Sequence, residues 1–369
     1  MELPSNFNSN KKKIYIYIYC VNISPQSIKT EMSEKPKVLK FPPIRYAEES
    51  WSKLSEIAEI VPVTVNSREE FIEKLHGEYS NIVGIGRGYL AGKQVGLFDK
   101  ELISHFPNSL KYIAHQGAGY DQIDTEALSE RGIQLANAPS VVDNATADTA
   151  LFLILGAMRN FNYGRRNLVQ GRWPTGGFAA GAPPGITPKN KTLGIIGMGG
   201  IGRATYERVK PLGFEKIKYY NRSRLPKELE QDAIYVTLEE LLKTSDVISI
   251  HCPLNENTRH LLNDRQIKLM KDGVIIINTA RGAVIDEKAL LENLKSGKIA
   301  SAGLDVFEQE PSVPKELLNL PNVLSLPHMG TQAVQTIKEM EEYVVENIYL
   351  GITTGRVRNI VYELRNLIE

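Results

Sequence analysis

Four residues with side chains suited to anion binding or proton transfer follow short apolar runs in the second half of the chain. Arg281, Asp305, Glu310 and His328 each stand at or just after such a run. An arginine can bind a carboxylate and polarise a neighbouring carbonyl, and a histidine is a natural proton donor near neutral pH. A carboxylate beside the histidine would favour its charged form. Each residue alone also fits an ordinary structural role, such as a surface ion pair, a solvated carboxylate or a packed histidine. Their succession at strand ends favours one shared site.

A glycine-rich stretch upstream of these residues predicts a dinucleotide-binding turn. The apolar run Leu193–Ile196 is typical of a buried strand, and three glycines follow at the spacing Gly197-x-Gly199-x-x-Gly202 before a helical pattern opens at Arg203. The first glycine permits a tight turn, the second lets the backbone approach a pyrophosphate, and the third allows close helix packing. The helix N-terminus offers unpaired N–H groups to an anion. A purely structural turn is the alternative, but the position between strand and helix favours cofactor binding.

The residues about twenty positions further on bear on the choice of cofactor. The next strand, 216–220, ends at Asn221, where an NAD-specific site would carry a ribose-binding Asp or Glu. Asparagine removes the repulsion of a 2′-phosphate, and Arg222, Ser223 and Arg224 supply a charge-assisted clamp. A solvated basic turn is the alternative. The sequence therefore predicts a preference for NADP(H), with NAD(H) also possible.

A second glycine-rich loop predicts a carboxylate-binding site in the first third of the chain. The loop at 115–124 follows the apolar run 110–114, and ligands of open α/β sheets bind at such strand ends. Its bare N–H groups could form a concave site for a carboxylate. A simple strand-to-helix connection explains the same residues.

Alternating strand and helix patterns are expected to position these groups. We predict strands at 38–41, 60–65, 82–86, 110–114, 246–252 and 274–278, and a further strand at 301–306. Helices are predicted at 48–60 and 67–75, the second with Ser67 as N-cap and Glu70 completing a capping box. This alternation predicts parallel sheets covered on both faces.

The segment 144–160 is predicted to form a buried helix with Asn144 as its N-cap. It is apolar on more than one face, so we expect it between domains or between subunits. The Gly-, Pro- and Ala-rich stretch 171–185 reads as a surface loop that leads into the nucleotide domain.

Composition excludes several classes of partner and site. The chain of 369 residues is long enough for two domains, and its formal net charge of +1 gives no basic field for nucleic acid or an anionic membrane. The only cysteines, Cys20 and Cys252, support neither a disulfide framework nor a metal site, which suits a reducing, cytoplasmic location. No apolar run approaches the length of a membrane span.

Residues 1–34 differ in composition from the remainder. A Lys triplet at 11–13 precedes alternating Ile and Tyr and then a polar stretch. The outline is that of a signal peptide, but the tyrosines and the missing cleavage site argue against one. An extension upstream of Met32 fits better, and we expect little order before about Pro36.

From about Lys37 onward the chain resembles the D-isomer-specific 2-hydroxyacid dehydrogenase family, most closely the fungal glyoxylate, hydroxypyruvate and hydroxyacid reductases. The resemblance is carried, in order, by Gly117-Ala-Gly-Tyr-Asp-Gln-Ile-Asp, Gly197-Met-Gly-Gly-Ile-Gly, His251-Cys-Pro-Leu-Asn-Glu-Asn-Thr-Arg-His, Asn278-Thr-Ala-Arg-Gly, Gly303-Leu-Asp-Val-Phe-Glu-Gln-Glu-Pro and Pro327-His. His115-Gln-Gly and Asn144-Ala-Thr-Ala-Asp-Thr carry the fungal likeness. One departure is Asn221, which stands where the family commonly has a ribose-binding Asp.

The resemblance implies two Rossmann-like, doubly wound parallel-sheet domains. Residues 35–143 and 329–369 would form a discontinuous substrate domain, and 144–328 an inserted NAD(P)-binding domain, with a homodimer contact along the helix from Asn144. A catalytic set of Arg281, Glu310 and His328 is implied, and Ala118, Gly119 and Arg281 would bind the substrate. Cofactor contacts are implied at Gly197, Gly199, Gly200, Ile201, Gly202, Asn221, Arg222, Ser223, Arg224, Cys252, Pro253, Thr258, Thr279, Ala280 and Asp305. The resemblance implies no metal site.

The implied activity is reduction of a small 2-keto acid, glyoxylate or hydroxypyruvate, to the D-2-hydroxy acid, with His328 as proton donor. A reductase of bulkier 2-keto acids is an alternative, as is a nicotinamide-sensing corepressor of the same family, which keeps the catalytic set. A formate dehydrogenase would carry Gln in place of Glu310. A phosphoglycerate dehydrogenase would usually add a regulatory domain.

Overall fold

The computed structural model describes residues 35–88, 90–174 and 176–367, and its strands form two parallel sheets. The strands of the first sheet are β1 Lys37–Lys40, β2 Glu59–Pro62, β3 Ile82–Arg87, β4 Tyr112–His115 and β5 Gln134–Ala136. Those of the second are β6 Thr192–Ile196, β7 Lys216–Tyr220, β8 Ile234–Tyr235, β9 Val247–Ile250, β10 Val274–Asn278, β11 Ile299–Leu304 and β12 Val323–Ser325.

Helices alternate with the strands along the chain. They are α1 Glu48–Leu54, α2 Arg68–His76, α3 Ala91–Val95, α4 Lys100–Ser104, α5 Thr125–Glu130, α6 Asp143–Met158, α7 Phe161–Val169, α8 Gly200–Val209, α9 Lys227–Glu230, α10 Leu238–Thr244, α11 Asp264–Leu269, α12 Glu287–Ser296, α13 Lys315–Asn319 and α14 Val334–Thr354. Short 3-10 turns follow at Lys210–Leu212, Gly282–Val284 and Tyr362–Leu367.

The first sheet has the order β2-β1-β3-β4-β5 and carries its own apolar core. Helix α14, from the far end of the chain, packs on this sheet, where Ile348 fills the space over Gly84. The space over Gly86 is filled by Trp51 of α1 together with Val344 of α14. The buried Glu341 of α14 accepts hydrogen bonds from the N–H groups of Tyr46 (2.8 Å) and Ala47 (3.0 Å), at the start of α1. A carboxylate placed there satisfies N–H groups that the helix leaves unpaired.

The second sheet has the order β12-β11-β10-β9-β6-β7-β8, so the chain reverses its direction of travel between β6 and β9. Ligands of such sheets bind outside the carboxyl ends of the strands at this switch point. The continuous apolar sequences of β6, β9 and β10 follow from burial on both faces. Helix α6 covers one face, and its Leu153 packs against Gly303 of β11.

The predicted fold class is confirmed, because both sheets are parallel and covered by helices. The cap of α2 is also confirmed: Ser67 accepts from the N–H of Glu70 at 3.2 Å. The carboxylate of Glu70 accepts from the N–H of Asn66 (2.8 Å), one residue before the cap.

Three expectations about the elements were wrong. Helix α1 ends at Leu54, because the residues up to Ile60 turn and enter β2. Helix α8 begins at Gly200, inside the glycine motif, rather than at Arg203. Helix α6 begins at Asp143, so Asn144 lies inside its first turn and does not cap it. The Asn144 side chain accepts a hydrogen bond from Arg208 instead. The short strands β5, β8 and β12 had no prediction, since two or three residues give no periodic pattern.

The expectation for residues 1–34 falls outside the described residues. The division into domains at residues 143 and 329 stays a prediction. No helix in the part of the chain that the structure describes is long and apolar enough to cross a membrane.

Candidate active site

Arg281 lies against the glycine-rich loop after β4. It follows β10, and its Nε donates to Oδ1 of Asp121 at 2.9 Å while its Nη1 donates to the carbonyl of Ala280 at 2.8 Å. A Cβ on Gly119 would overlap with Nη2 of Arg281, so only glycine permits this approach. The structure therefore brings Arg281 and the predicted carboxylate-binding loop together, although 160 residues separate Arg281 from Asp121.

The backbone of that loop is fixed by its carbonyl groups. The carbonyl of Gly117 accepts from Ala138 N (2.8 Å), and that of Ala118 accepts from Asn137 Nδ2 (2.7 Å). The carbonyl of Gly119 lies 3.1 Å from Nε2 of His115. In the described ranges no acceptor is bonded to the N–H groups of Ala118, Gly119 or Tyr120. Three adjacent open N–H groups are suited to binding an anion.

Glu310 and His328 form a directly bonded pair. Nδ1 of His328 lies 2.7 Å from Oε2 of Glu310, and Oε1 of Glu310 accepts from the N–H of Phe307 at 3.0 Å. Burial by itself would raise the pKa of Glu310, but the hydrogen bond and charge of His328 hold that pKa below its ordinary value. Glu310 is therefore an acceptor at neutral pH, and its contact with His328 uses Nδ1 and not Nε2.

Asp305 supports the backbone around His328. Its Oδ1 accepts from Met329 N at 2.6 Å, and its Oδ2 accepts from Gly330 N at 2.8 Å. The N–H of His328 donates to the Asp305 carbonyl at 2.8 Å. These contacts hold His328 at a φ of 55°, a left-handed conformation that residues other than glycine rarely adopt. Contact of Asp305 with a nicotinamide stays a prediction.

The glycines of the 197–202 turn are needed for different physical reasons. Gly197 has a φ of 94°, and a Cβ there would lie 2.5 Å from the N of Cys252, at the end of β9. A Cβ on Gly202 would overlap with the carbonyl of Gly197, and one on Gly200 would overlap with the carboxylate of Asp143. Gly199 has nothing within 4 Å of its Cβ position, so the fold does not demand glycine there. Open space at this position is what the approach of a pyrophosphate requires.

The predicted ribose-side residues lie together after β7 but make unequal contacts. Asn221 Oδ1 accepts from the N–H of Met198 at 2.7 Å, which ties this turn to the glycine motif. Arg224 forms a two-point ion pair with Glu230 at 2.9 and 3.0 Å. Arg222 and Ser223 are exposed. Of the two arginines, Arg222 is the one whose guanidinium has no ion pair in the described residues.

The other residues expected near the cofactor line the ends of β9 and β10. Cys252 lies beside Gly197, and burial raises the pKa of its thiol to about 11. Thr258 donates to the carbonyl of Pro253 (2.6 Å), which closes that loop on itself. The hydroxyl of Thr279 lies 3.3 Å from Nδ1 of His251, and the N–H of Ala280 donates to Asn278 at 3.0 Å. Ile201 packs in an apolar cluster that also contains Ala118.

Comparisons with known proteins show the family to which the chain belongs. Residues 151–330 match the family model for the D-isomer specific 2-hydroxyacid dehydrogenase NAD binding domain. Glyoxylate reductase 1 of Saccharomyces cerevisiae is 51% identical over 339 residues, which cover 91% of this chain and 97% of that protein. The chain belongs to the D-isomer-specific 2-hydroxyacid dehydrogenase family. It is therefore an NAD(P)-dependent oxidoreductase.

Two further relatives within the 2-hydroxyacid dehydrogenases differ in the substrate that they are named for. The 4-methyl-2-oxopentanoate reductase A of Aspergillus oryzae is 44% identical over 90% of this chain and 99% of its own length. The crystal structure of a glyoxylate reductase from Paecilomyes thermophila superposes with a TM-score of 0.86, at 44% identity, over 90% of this chain and 99% of that one.

Sequence reasoning about this dehydrogenase missed three side chains that hold the site. Asp121 lies within the motif that begins at Gly117, but its ion pair with Arg281 depends on the packing of two distant loops. Arg87 and His115 stand at the ends of β3 and β4 and were not expected to be buried. Their positions at strand ends were a usable signal, because that is where the other site residues lie.

Proposed function

We propose that this enzyme reduces a small 2-keto acid, glyoxylate or hydroxypyruvate, to the D-2-hydroxy acid, with NADPH as the preferred reductant. The observation that carries the proposal is the approach of Arg281 to Gly119, which places a guanidinium beside three open N–H groups. A carboxylate is the group that both recognise. The relatives named as glyoxylate reductases support the substrate class.

Arg281, His328 and Glu310 each have a separate role in the proposed reaction. Arg281 binds the carboxylate and the carbonyl oxygen, which fixes the orientation of the electrophilic carbon. When bound, the reduced nicotinamide supplies hydride to that carbon. His328 donates the proton on Nε2 to the carbonyl oxygen as negative charge develops there. Glu310 stabilises the imidazolium through Nδ1.

The residues of the cofactor turn fit a dinucleotide. Gly199 leaves space for the pyrophosphate, and α8 begins immediately afterwards with its N–H groups towards that space. Asn221 and Arg222 would face the adenosine ribose, with Arg222 as the cation for a 2′-phosphate. Arg224 is neutralised by its ion pair with Glu230, so Arg222 carries the net charge of this turn.

We also propose that the enzyme is a homodimer with its contact along α6 and α7. Large apolar side chains are exposed on these helices and on the loop that follows, namely Phe152, Phe161, Leu168, Val169 and Trp173. Exposed apolar surface of this kind marks an interaction site.

A panel of 2-keto acids assayed with NADPH and with NADH tests the proposed function. We expect the highest kcat/KM for glyoxylate or hydroxypyruvate with NADPH. A strong preference for 4-methyl-2-oxopentanoate, which the Aspergillus oryzae relative is named for, would favour the bulkier class of substrate instead. Absence of turnover with every 2-keto acid would favour a nicotinamide-sensing binding protein.

A further inference from the structure

Arg87 is a buried cation without a carboxylate partner in the described part of the chain. It ends β3, is 0% exposed, and lies over the ring of Phe98 with its Cζ 4.8 Å from the centroid. Its Nη2 donates to Oε1 of Gln122 at 2.9 Å, and its Nη1 lies 3.0 Å from Nδ1 of His115. Burial lowers its pKa to about 10, so it stays charged at neutral pH. Burying a charge without an ion partner is costly.

Arg87 determines the tautomer of His115. A guanidinium has only donors, so Nδ1 of His115 must accept and the ring proton must lie on Nε2. That Nε2–H donates to the carbonyl of Gly119 at 3.1 Å. Burial, and then the charge of Arg87, lower the pKa of His115 to about 3, so the ring is neutral across the physiological range. The result is a directed chain of hydrogen bonds from Arg87 through His115 to Gly119.

This chain completes the orientation of the substrate loop. A peptide group is planar and trans, so fixing a carbonyl also fixes the N–H of the next residue on the opposite side. Ala138 and Asn137 fix the Gly117 and Ala118 carbonyls, and so the N–H groups of Ala118 and Gly119. His115 fixes the Gly119 carbonyl and so the N–H of Tyr120. The N–H of Tyr120 thus joins those of Ala118 and Gly119 as a third donor whose peptide orientation is fixed.

We propose that Arg87 and His115 are positioning residues that orient the Gly119–Tyr120 peptide, so that the Tyr120 N–H and the buried Arg87 charge contribute to binding the substrate carboxylate. This rests on the proposed function and extends its substrate site. The Arg87–His115 pair acts on the keto acid and not on the dinucleotide, whose glycine turn lies after β6 in the other sheet.

Kinetics of Arg87→Met and His115→Leu test the proposal. Since a hydrogen bond to a charged group contributes about 1.5–3 kcal/mol, we expect the KM for the keto acid to rise roughly tenfold or more, while kcat and the KM for NADPH change little. His115→Gln should recover part of the loss, because an amide offers both an acceptor and a donor. The double variant should be no worse than the poorer single variant, since both act through one chain.

The matched control is His76→Leu, because His76 pairs with His105 at the surface, away from the loop. An unchanged keto-acid KM in His115→Leu would overturn the proposal. The proposal would also be overturned if the effects of the two single variants on the keto-acid KM were additive in the double variant, or if the KM for NADPH rose by the same factor.

Two measurements that do not depend on turnover separate this inference from the proposed function. Oxamate, a carboxylate that the enzyme does not reduce, should bind to the NADPH complex of the wild type and about tenfold or more weakly to that of His115→Leu. Failure of the wild type to bind oxamate or reduce keto acids would overturn both proposals, whereas equal oxamate affinity in the variant would overturn only this one.

Nitrogen-15 NMR of the histidine rings, assigned with His115→Gln, should show a neutral ring protonated on Nε2 between about pH 5 and 8. A His115 ring that titrates within that range would contradict the chain of hydrogen bonds. In Arg87→Met the Nε2–H still has the Gly119 carbonyl, but Nδ1 loses its donor, so the Nδ1 resonance should shift if the variant folds. An unchanged Nδ1 resonance would contradict the contact with Arg87, and His115→Leu carries the kinetic test if Arg87→Met does not fold.

Discussion

At the scale of the residue, Arg281 should contribute to both binding and turnover of the 2-keto acid. Its guanidinium touches Gly119 of the substrate loop, so Arg281→Ala removes a charge-assisted contact to the reacting group. We expect kcat/KM to fall by roughly two or more orders of magnitude, in line with a loss of a few kcal/mol. The dissociation constant of NADPH should stay nearly unchanged, which fluorescence titration measures.

Arg265→Ala is the matched control, because Arg265 is exposed on α11. Normal kcat/KM in Arg281→Ala would remove this residue from the substrate site.

The Glu310–His328 pair predicts a particular pH dependence of reduction. His328→Gln should lower kcat by roughly two or more orders of magnitude. In Glu310→Gln the carboxylate that stabilises the imidazolium is lost, so the decline of activity with rising pH should move to lower pH. The pKa of Glu310 is lowered in the folded protein, so the stability that it contributes is present above its unfolded pKa and lost only as pH falls through the lowered value. A kcat profile between about pH 5 and 9 measures this change.

A Glu310→Gln profile that superposes on that of the wild type would show that the carboxylate does not act on the histidine.

At the scale of the element, the turn between β6 and α8 separates glycines required by the fold from a glycine required by the ligand. Gly197→Ala would bring a Cβ to 2.5 Å from Cys252 N at a φ of 94°, so we expect a lower Tm. Gly199→Ala has open space and a φ of −74°, so its Tm should stay within a few degrees of the wild type while NADPH affinity falls. Thermal melts and NADPH titrations of the two variants provide the comparison.

Undiminished NADPH affinity in a folded Gly199→Ala would argue against a pyrophosphate at this turn.

The turn after β7 should decide between the two cofactors. Asn221→Asp keeps the acceptor for Met198 N–H but adds a charge that repels a 2′-phosphate, so NADH should become favoured. Arg222→Ala should raise the KM for NADPH roughly tenfold or more and the KM for NADH little. Discrimination should weaken as salt rises, because the turn is exposed.

Arg224→Ala is a less specific test, because it would remove the only ion-pair partner described for Glu230. The side chain of Glu230 is only 5% exposed, so its charge would be left nearly buried. If neither Asn221→Asp nor Arg222→Ala changes the ratio of the two cofactors, the turn is only a solvated basic segment.

At the scale of the whole molecule, the exposed apolar residues of α6 and α7 predict a dimer. Replacing Leu168 and Val169, which are 60% and 71% exposed, by Glu should disrupt the contact without disturbing a core. Sedimentation velocity should then show a dimer for the wild type and a monomer for the double variant. Leu97→Glu is the control, since Leu97 is 56% exposed in the segment between α3 and α4.

A wild type that sediments as a monomer would contradict the proposed dimer, as would a double variant that remains dimeric.

The sequence by itself predicted parallel sheets and the glycine turn, and it singled out the side chains that are proposed to react. Each of these depends on a local pattern: apolar runs of strand length, glycines at fixed spacing, and polar residues directly after strands. Element boundaries were less well predicted, as at α1, because the same apolar residues suit the end of a helix and the start of a strand.

Tertiary structure alone decided which polar groups meet. Three contacts depend on packing and not on a local pattern. They are the ion pair of Arg281 with Asp121, the ion pair of Arg224 with Glu230, and the hydrogen bonds from Arg87 through His115 to Gly119. Glycine spacing shows where a backbone can turn. Whether an N–H is left open depends on which distant group binds the neighbouring carbonyl, and that follows only once the strands are placed side by side.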